Sequence, residues 1–106
     1  LPCGVQYKVI VNGKGTIPTA KSTVQVHYCG TLIDGTEFDN SFKRKRPETF
    51  RVNEVINGWQ EALKAMPSGS RWMIYIPFEL GYGTMAAGSI KPYSTLIFEV
   101  ELLGVK

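Results

Sequence analysis

Only one stretch of this chain reads as a helix, and the segments around it alternate between apolar and polar residues. In residues 57–66, Trp59, Ala62, Leu63 and Met66 share one helical face while Gln60, Glu61 and Lys64 share the other. Asn57 is predicted to cap this helix with Gln60 at the third helical position, a capping-box arrangement. Met66-Pro67-Ser68-Gly69 should end it, because proline cannot continue the turn and glycine permits the reversal.

The alternating segments are expected to be strands. Val5, Tyr7, Val9 and Val11 alternate with Gln6, Lys8 and Asn12, with Ile10 an imperfection in the polar face. Thr23 to Cys29 is the cleanest case, with Val24, Val26 and Tyr28 on one face and Gln25, His27 and Cys29 on the other. Asp34-Gly35 supplies a hairpin signal between Thr31-Leu32-Ile33 and Thr36-Glu37-Phe38-Asp39. Thr49 to Val52, Arg71 to Ile76 and Thr95 to Leu102 complete the set. Several strands with one interposed helix cannot build a parallel α/β layer, so an antiparallel sheet wrapped over the helix is the economical architecture. Phe78 to Ser94, glycine-rich and too long for a tight turn, is the loop most expected to carry function.

At 106 residues the chain suits one domain with one core. It has no apolar run of about 18 residues, so no membrane-spanning helix is expected. It begins at Leu1-Pro2-Cys3-Gly4 without a methionine, which suggests a processed or trimmed product. The net charge of +3 comes largely from Lys43-Arg44-Lys45-Arg46, which reads as a solvated loop before it reads as a nucleic-acid contact. Cys3 and Cys29 match no zinc spacing; one bridge or two free thiols are open, with free thiols the expectation.

Catalytic machinery of the usual kinds is missing. The one histidine, His27, falls on the strand face opposite Val24, Val26 and Tyr28, and is expected to be superficial or partly covered. Gly13-Lys14-Gly15-Thr16 lacks the remainder of a phosphate loop and reads as a turn. Asp34 and Asp39 have no acid-base pairing to recommend them. Tyr28, Phe38, Asp39, Trp59, Tyr82 and Phe98, by contrast, can gather around Glu54-Val55-Ile56-Asn57-Gly58-Trp59. Aromatic clusters in small domains are more often core than site. Here Tyr28, Phe38 and Tyr82 fall at strand ends or in loops, and Asp39 suits a tyrosine hydroxyl at a pocket rim, so a half-open apolar cavity is the working hypothesis.

Val26-His27-Tyr28-x-Gly30-x-Leu32, Asp34-Gly35-x-x-Phe38-Asp39-x-Ser41, Glu54-Val55-Ile56-x-Gly58-Trp59, Tyr82-Gly83 and Leu96-x-Phe98-x-Val100-Glu101-Leu102-Leu103 occur in that order. In these motifs the chain resembles the FK506-binding proteins, a family of peptidyl-prolyl isomerases, from about Val5 to its end. Leu1 to Val9 and Thr49-Phe50-x-Val52 are most similar to the macrophage infectivity potentiator branch and its periplasmic relatives. The resemblance implies an α+β fold, an antiparallel half-barrel sheet over one short helix, as a single domain over residues 1–106 that forms the C-terminal part of a longer precursor. It implies Trp59 as a pocket floor, with Tyr28, Phe38, Phe50, Val55, Ile56, Tyr82, Ile90 and Phe98 as walls and rim. It implies Tyr28, Asp39, Ile56 and Tyr82 as the catalytic set, in which the Ile56 backbone N–H and the Tyr82 hydroxyl would donate to substrate carbonyls, Asp39 would make a polar contact near Tyr28, and Arg44 would pair with Asp39.

Neither metal nor cofactor is implied. The expected partners are X-Pro polypeptides and, as inhibitors, FK506- or rapamycin-type macrolides, with dimerisation only through an N-terminal segment outside this chain. The branch favours a secreted, periplasmic or cell-surface location over the cytoplasm. Two departures stand out. Glu48 occupies a position where many members place an aromatic, which makes one wall more open or polar. The loop Thr84 to Ser89 is one residue short, with Met85-Ala86-Ala87 where others often carry a histidine. A non-catalytic module holding a proline segment or macrolide is the alternative reading, and nucleic-acid binding through Lys43 to Arg46 ranks below both.

Overall fold

The computed structural model describes residues 4–77 and 95–106. In chain order it contains β1 (Gln6–Val11), β2 (Thr23–Leu32), β3 (Glu37–Asn40), β4 (Glu48–Arg51), a 3-10 turn (Val52–Glu54), α1 (Asn57–Leu63), β5 (Arg71–Ile76) and β6 (Leu96–Val105). The strands form one antiparallel sheet ordered β1-β5-β6-β2-β3, with β4 also pairing with β2. This is the expected α+β arrangement, with the sheet left open between its edges rather than closed into a barrel.

The central strand β2 organises the rest. One side pairs with β6 along nearly its whole length. The other side is divided, Thr23–Val26 pairing with β4 and Cys29–Thr31 pairing with β3. Residues 41–47 leave the sheet between those halves. Along β2 the strict alternation buries Val24, Val26 and Tyr28, and β5 and β6 do the same with Trp72, Ile74, Ile76, Leu96, Phe98, Val100 and Leu102. The helical face Trp59, Ala62, Leu63 and Met66 is buried in the same cluster. Burying a side chain of this size contributes about 1.5–3 kcal/mol, so this face rather than helix propensity holds a seven-residue helix in place. Gly58 makes the approach possible, since a Cβ there would come within 2.5 Å of Ile76 Cγ2.

The helix start differs from expectation. Ile56 is the capping residue, without a side-chain cap, and Asn57 is already helical. Gln60 Nε2 donates instead to the Val55 carbonyl at 2.8 Å, tying the helix to its incoming chain and taking the amide away from any capping box. β1 also departs. Val5 is buried, but Tyr7, Val9 and Val11 are 43%, 43% and 51% exposed. They pair across from Ile74, Trp72 and Arg71, so the core face runs outward to the sheet edge, where the short helix no longer covers it. Tyr7 is packed only on one side, stacked on Trp72 with ring centroids 4.3 Å apart. β2 and β6 extend further than read, to Leu32 and Val105.

Gly13-Lys14-Gly15-Thr16 is a turn with a structural job. Gly13 N–H donates to Ser70 Oγ at 2.9 Å, Gly15 N–H to Ser68 O at 3.0 Å, and Ser68 N–H to Thr16 O at 2.9 Å. These bonds strap the reversal after α1 to the loop after β1.

Candidate functional site

Trp59 enters the concave side of the sheet from the first turn of α1 and meets three rings edge-on. Its centroid lies 5.2 Å from Tyr28 of β2, 5.8 Å from Phe50 of β4 and 5.1 Å from Phe98 of β6, at interplanar angles of 89°, 86° and 88°. Phe38 of β3 extends the group, 5.5 Å from Phe98 at 87°. Edge-to-face pairs set the positive ring edge against the negative face, each adding about 0.5–1.5 kcal/mol beyond burial. Four strands and the helix thus contribute one ring each to a box around one indole. Gly30, on β2 between these rings, leaves the space they fill: a Cβ would lie 2.6 Å from Phe38 Cζ and 2.9 Å from Phe98 Cε1. The Trp59 indole N–H is buried with no acceptor among the described residues.

Val55 and Ile56 are half-buried against this cluster. Nothing accepts from the Ile56 N–H among the described residues, while its carbonyl takes the Gln60 N–H at 3.1 Å. Of the residues the sequence nominated, Tyr28, Phe38, Asp39, Arg44, Phe50, Val55, Ile56, Trp59 and Phe98 converge here. Tyr82 and Ile90, like the loop 84–89 and Cys3, lie outside the described residues.

The polar edge of the box is built on the Tyr28 hydroxyl, which donates to Asp39 Oδ2. Burial, then the bond to Asp39, pushes the Tyr28 phenol up to about 12, so it remains a donor throughout the physiological range. Asp39 Oδ1 accepts from Arg44 Nη1 and from the Asn40 N–H at 2.9 Å. Burial raises the Asp39 carboxyl, but the bonds from Tyr28 and Arg44 outweigh it and the net shift is downward. Arg44 sits with its guanidinium carbon 5.9 Å from the Tyr28 ring centroid and extends Nη2 to Glu48 Oε1 at 3.2 Å. Its own proton is held more tightly still by Asp39 and Tyr28.

Two further residues contribute, Ser41, which the sequence did not nominate, and Glu48, which it marked as a polar wall position. Ser41 is fully buried where β3 ends; its Oγ accepts the Tyr28 N–H at 2.7 Å and lies 2.9 Å from His27 Nδ1, and its N–H donates to Tyr28 O at 2.9 Å. It fills the break in β2 pairing, so the chain can leave the sheet with Asp39 before it and Arg44 after it. The Asp-x-Ser spacing was the available signal. Glu48 is the other, placed by the alternation of β4 on the face of Phe50.

His27 lies on the opposite face, half-buried and stacked on Phe42 at 4.8 Å, as its strand position implied. Cys29 is a free thiol pushed up to about 11 by burial and by its bond to Glu37. The basic run is exposed, but two of its charges are paired, Lys43 with Glu37 at 2.6 Å and Arg44 with Asp39 and Glu48. Among the described residues there is no cluster of metal-ligating side chains and no helix long and apolar enough to cross a membrane.

An aromatic box on one face of an open antiparallel sheet, edged by a buried tyrosine bonded to a partly exposed aspartate-arginine pair, makes a candidate binding site. The comparisons say which kind. The sequence profile of the FKBP-type peptidyl-prolyl cis-trans isomerases matches residues 14–103, and the chain belongs to that family. It is 56% identical over 103 residues to the FKBP-type 22 kDa peptidyl-prolyl cis-trans isomerase of Escherichia coli K12, covering 96% of this chain and 50% of that protein. It is 50% identical over 107 residues to the outer membrane protein MIP of Legionella longbeachae, covering 100% of this chain and 46% of that protein. The crystal structure of FkpA from Escherichia coli superposes with a TM-score of 0.96 at 49% identity, over 100% of this chain and 50% of that one. The chain spans about half the length of the curated relatives it matches.

Proposed function

We propose that this domain is a peptidyl-prolyl cis-trans isomerase acting on X-Pro bonds of polypeptides, with the proline ring seated on Trp59 between Tyr28, Phe50 and Phe98. The observation that carries this reading is the three-ring box around one indole, with a polar edge that begins at the Tyr28–Asp39 bond. Rotation about X-Pro crosses a barrier of about 20 kcal/mol because the amide loses conjugation, and it breaks no bond. The planar amide is the more charge-separated form, so a cavity that replaces water by aromatic walls raises it relative to the twisted state. The Ile56 N–H, which has no acceptor among the described residues, is a donor for a substrate carbonyl, and a donor that engages only the rotated carbonyl adds differential binding of the transition state. Tyr82 and Ile90 complete the proposed site on grounds of sequence.

FK506- or rapamycin-type macrolides would compete for the same walls. The relative named an outer membrane protein supports a secreted, periplasmic or surface setting, and the longer relatives support further segments through which a dimer could form. The test is the cis-to-trans rate of a Leu-Pro peptide with and without the protein, repeated with excess FK506. The expected result is acceleration that the macrolide abolishes. Binding of the peptide without any rate gain would overturn the assignment in favour of a docking module.

A further inference from the structure

We infer that Glu48 makes this cleft selective for prolines flanked by a basic residue, an inference that rests on the isomerase reading and adds a substrate class to it. β4 alternates, so Glu48 and Phe50 are half-buried on one face while Thr49 and Arg51 are exposed on the other. Their partners across the ladder are Val26 and Val24, which share the core face of β2 with Tyr28. A carboxylate therefore stands in the row of residues that faces the aromatic box, two positions from one of its walls. Asp39 has both oxygens engaged, Oδ1 by Arg44 and the Asn40 N–H, Oδ2 by the Tyr28 hydroxyl. Glu48 has only Oε1 engaged, by Arg44 at 3.2 Å, and Oε2 accepts nothing among the described residues.

In this group of described residues two carboxylates stand against one guanidinium, one negative charge in excess, and the acceptor unoccupied among the described residues is on the residue whose side chain is 35% exposed. A lysine or arginine beside the proline can lay its alkyl stem along the apolar wall and present its charged head at that oxygen. A glutamate in the same place meets repulsion. Because the pair is partly solvated, selection is modest, roughly two- to five-fold in kcat/KM. Lys45 and Arg46, exposed in the 41–47 bulge, carry the opposite sign, so the sign of the preference discriminates between the two sources of charge.

The experiment measures kcat/KM for peptides carrying Lys, Leu or Glu immediately before the proline, and the same three immediately after it, in low and high salt. The expected order is Lys above Leu above Glu in one of the two positions, with the contrast fading in high salt. In Glu48→Gln, which keeps an acceptor for Arg44, the Lys-to-Leu ratio collapses toward unity whatever the absolute rate. Equal treatment of the three peptides, a preference for Glu, or a ratio that persists in Glu48→Gln overturns the inference. No acceleration even of the Leu peptide overturns the isomerase reading and this inference with it, whereas acceleration without charge preference overturns this inference alone.

Discussion

Asp39 gathers three donors from three different sources: the Tyr28 phenol, the Arg44 guanidinium and its neighbour's backbone N–H. Truncating it removes the acceptor for the Tyr28 hydroxyl and leaves Arg44 with Glu48 and a long contact to that hydroxyl at 3.5 Å. Hydrogen bonds to charged groups contribute about 1.5–3 kcal/mol, which corresponds to roughly ten- to a hundred-fold if the positioning of the cleft depends on them. Asp39→Ala is expected to lower kcat/KM on a Leu-Pro peptide by that factor while the far-ultraviolet circular dichroism spectrum is retained. A turnover equal to wild type would remove Asp39 and Tyr28 from the proposed site.

The break between β3 and β4 is the element on which the cleft depends. Ladder pairing of β2 on this side stops at Cys29 and resumes at Val26, which leaves the Tyr28 N–H and carbonyl in the sheet interior without a strand beside them. Ser41 satisfies both, through its hydroxyl at 2.7 Å and its own N–H at 2.9 Å. A buried donor left without an acceptor costs about 1–3 kcal/mol. Ser41→Ala should lower the unfolding free energy by that amount, read as a lower denaturant midpoint at unchanged m-value, and Ser41→Thr, which restores the hydroxyl at the cost of a methyl group in a filled site, should recover part of it. If Ser41→Ala unfolds at the wild-type midpoint, the bulge is held by the Arg46 N–H to Ser41 carbonyl bond and its neighbours instead.

For the molecule as a whole, the same edge sets the response to acid. Lys43, followed by Asn40 and Cys29, holds the Glu37 carboxyl down to about 2, and Asp39 is also lowered once its bonds outweigh burial. In the unfolded chain such groups titrate near about 4. Both are more acidic folded than unfolded, so on acidification the unfolded chain takes up protons first, and the stability these groups contribute is complete above about pH 5 and lost from about pH 4 to about pH 2. Thermal midpoints should therefore be level between about pH 7 and pH 5 and fall below about pH 4. The double variant Glu37→Gln, Asp39→Asn should show a shallower fall; an unchanged slope would assign acid sensitivity to other carboxylates.

Periodicity alone determined the strand order along the chain, the single helix and the buried faces of β2, β5 and β6, because alternation and 3.6-residue spacing are local properties that burial reads one residue at a time. That Trp59, Tyr28, Phe38 and Asp39 meet at one point was what the family resemblance implied. Pairing was a different matter. That β2 shares one edge between β3 and β4, that Ser41 closes the gap and that Gln60 bonds Val55 rather than capping its own helix depend on which strands meet. Tyr7, Val9 and Val11 show the same division from the other side: they alternate with polar residues except at Ile10, yet they remain exposed, since whether an apolar face is covered depends on how far a seven-residue helix reaches across the sheet. The charge at the rim was decided in the same way, when tertiary contact set Arg44 between Asp39 and Glu48 and made one residue of the basic run part of the candidate site.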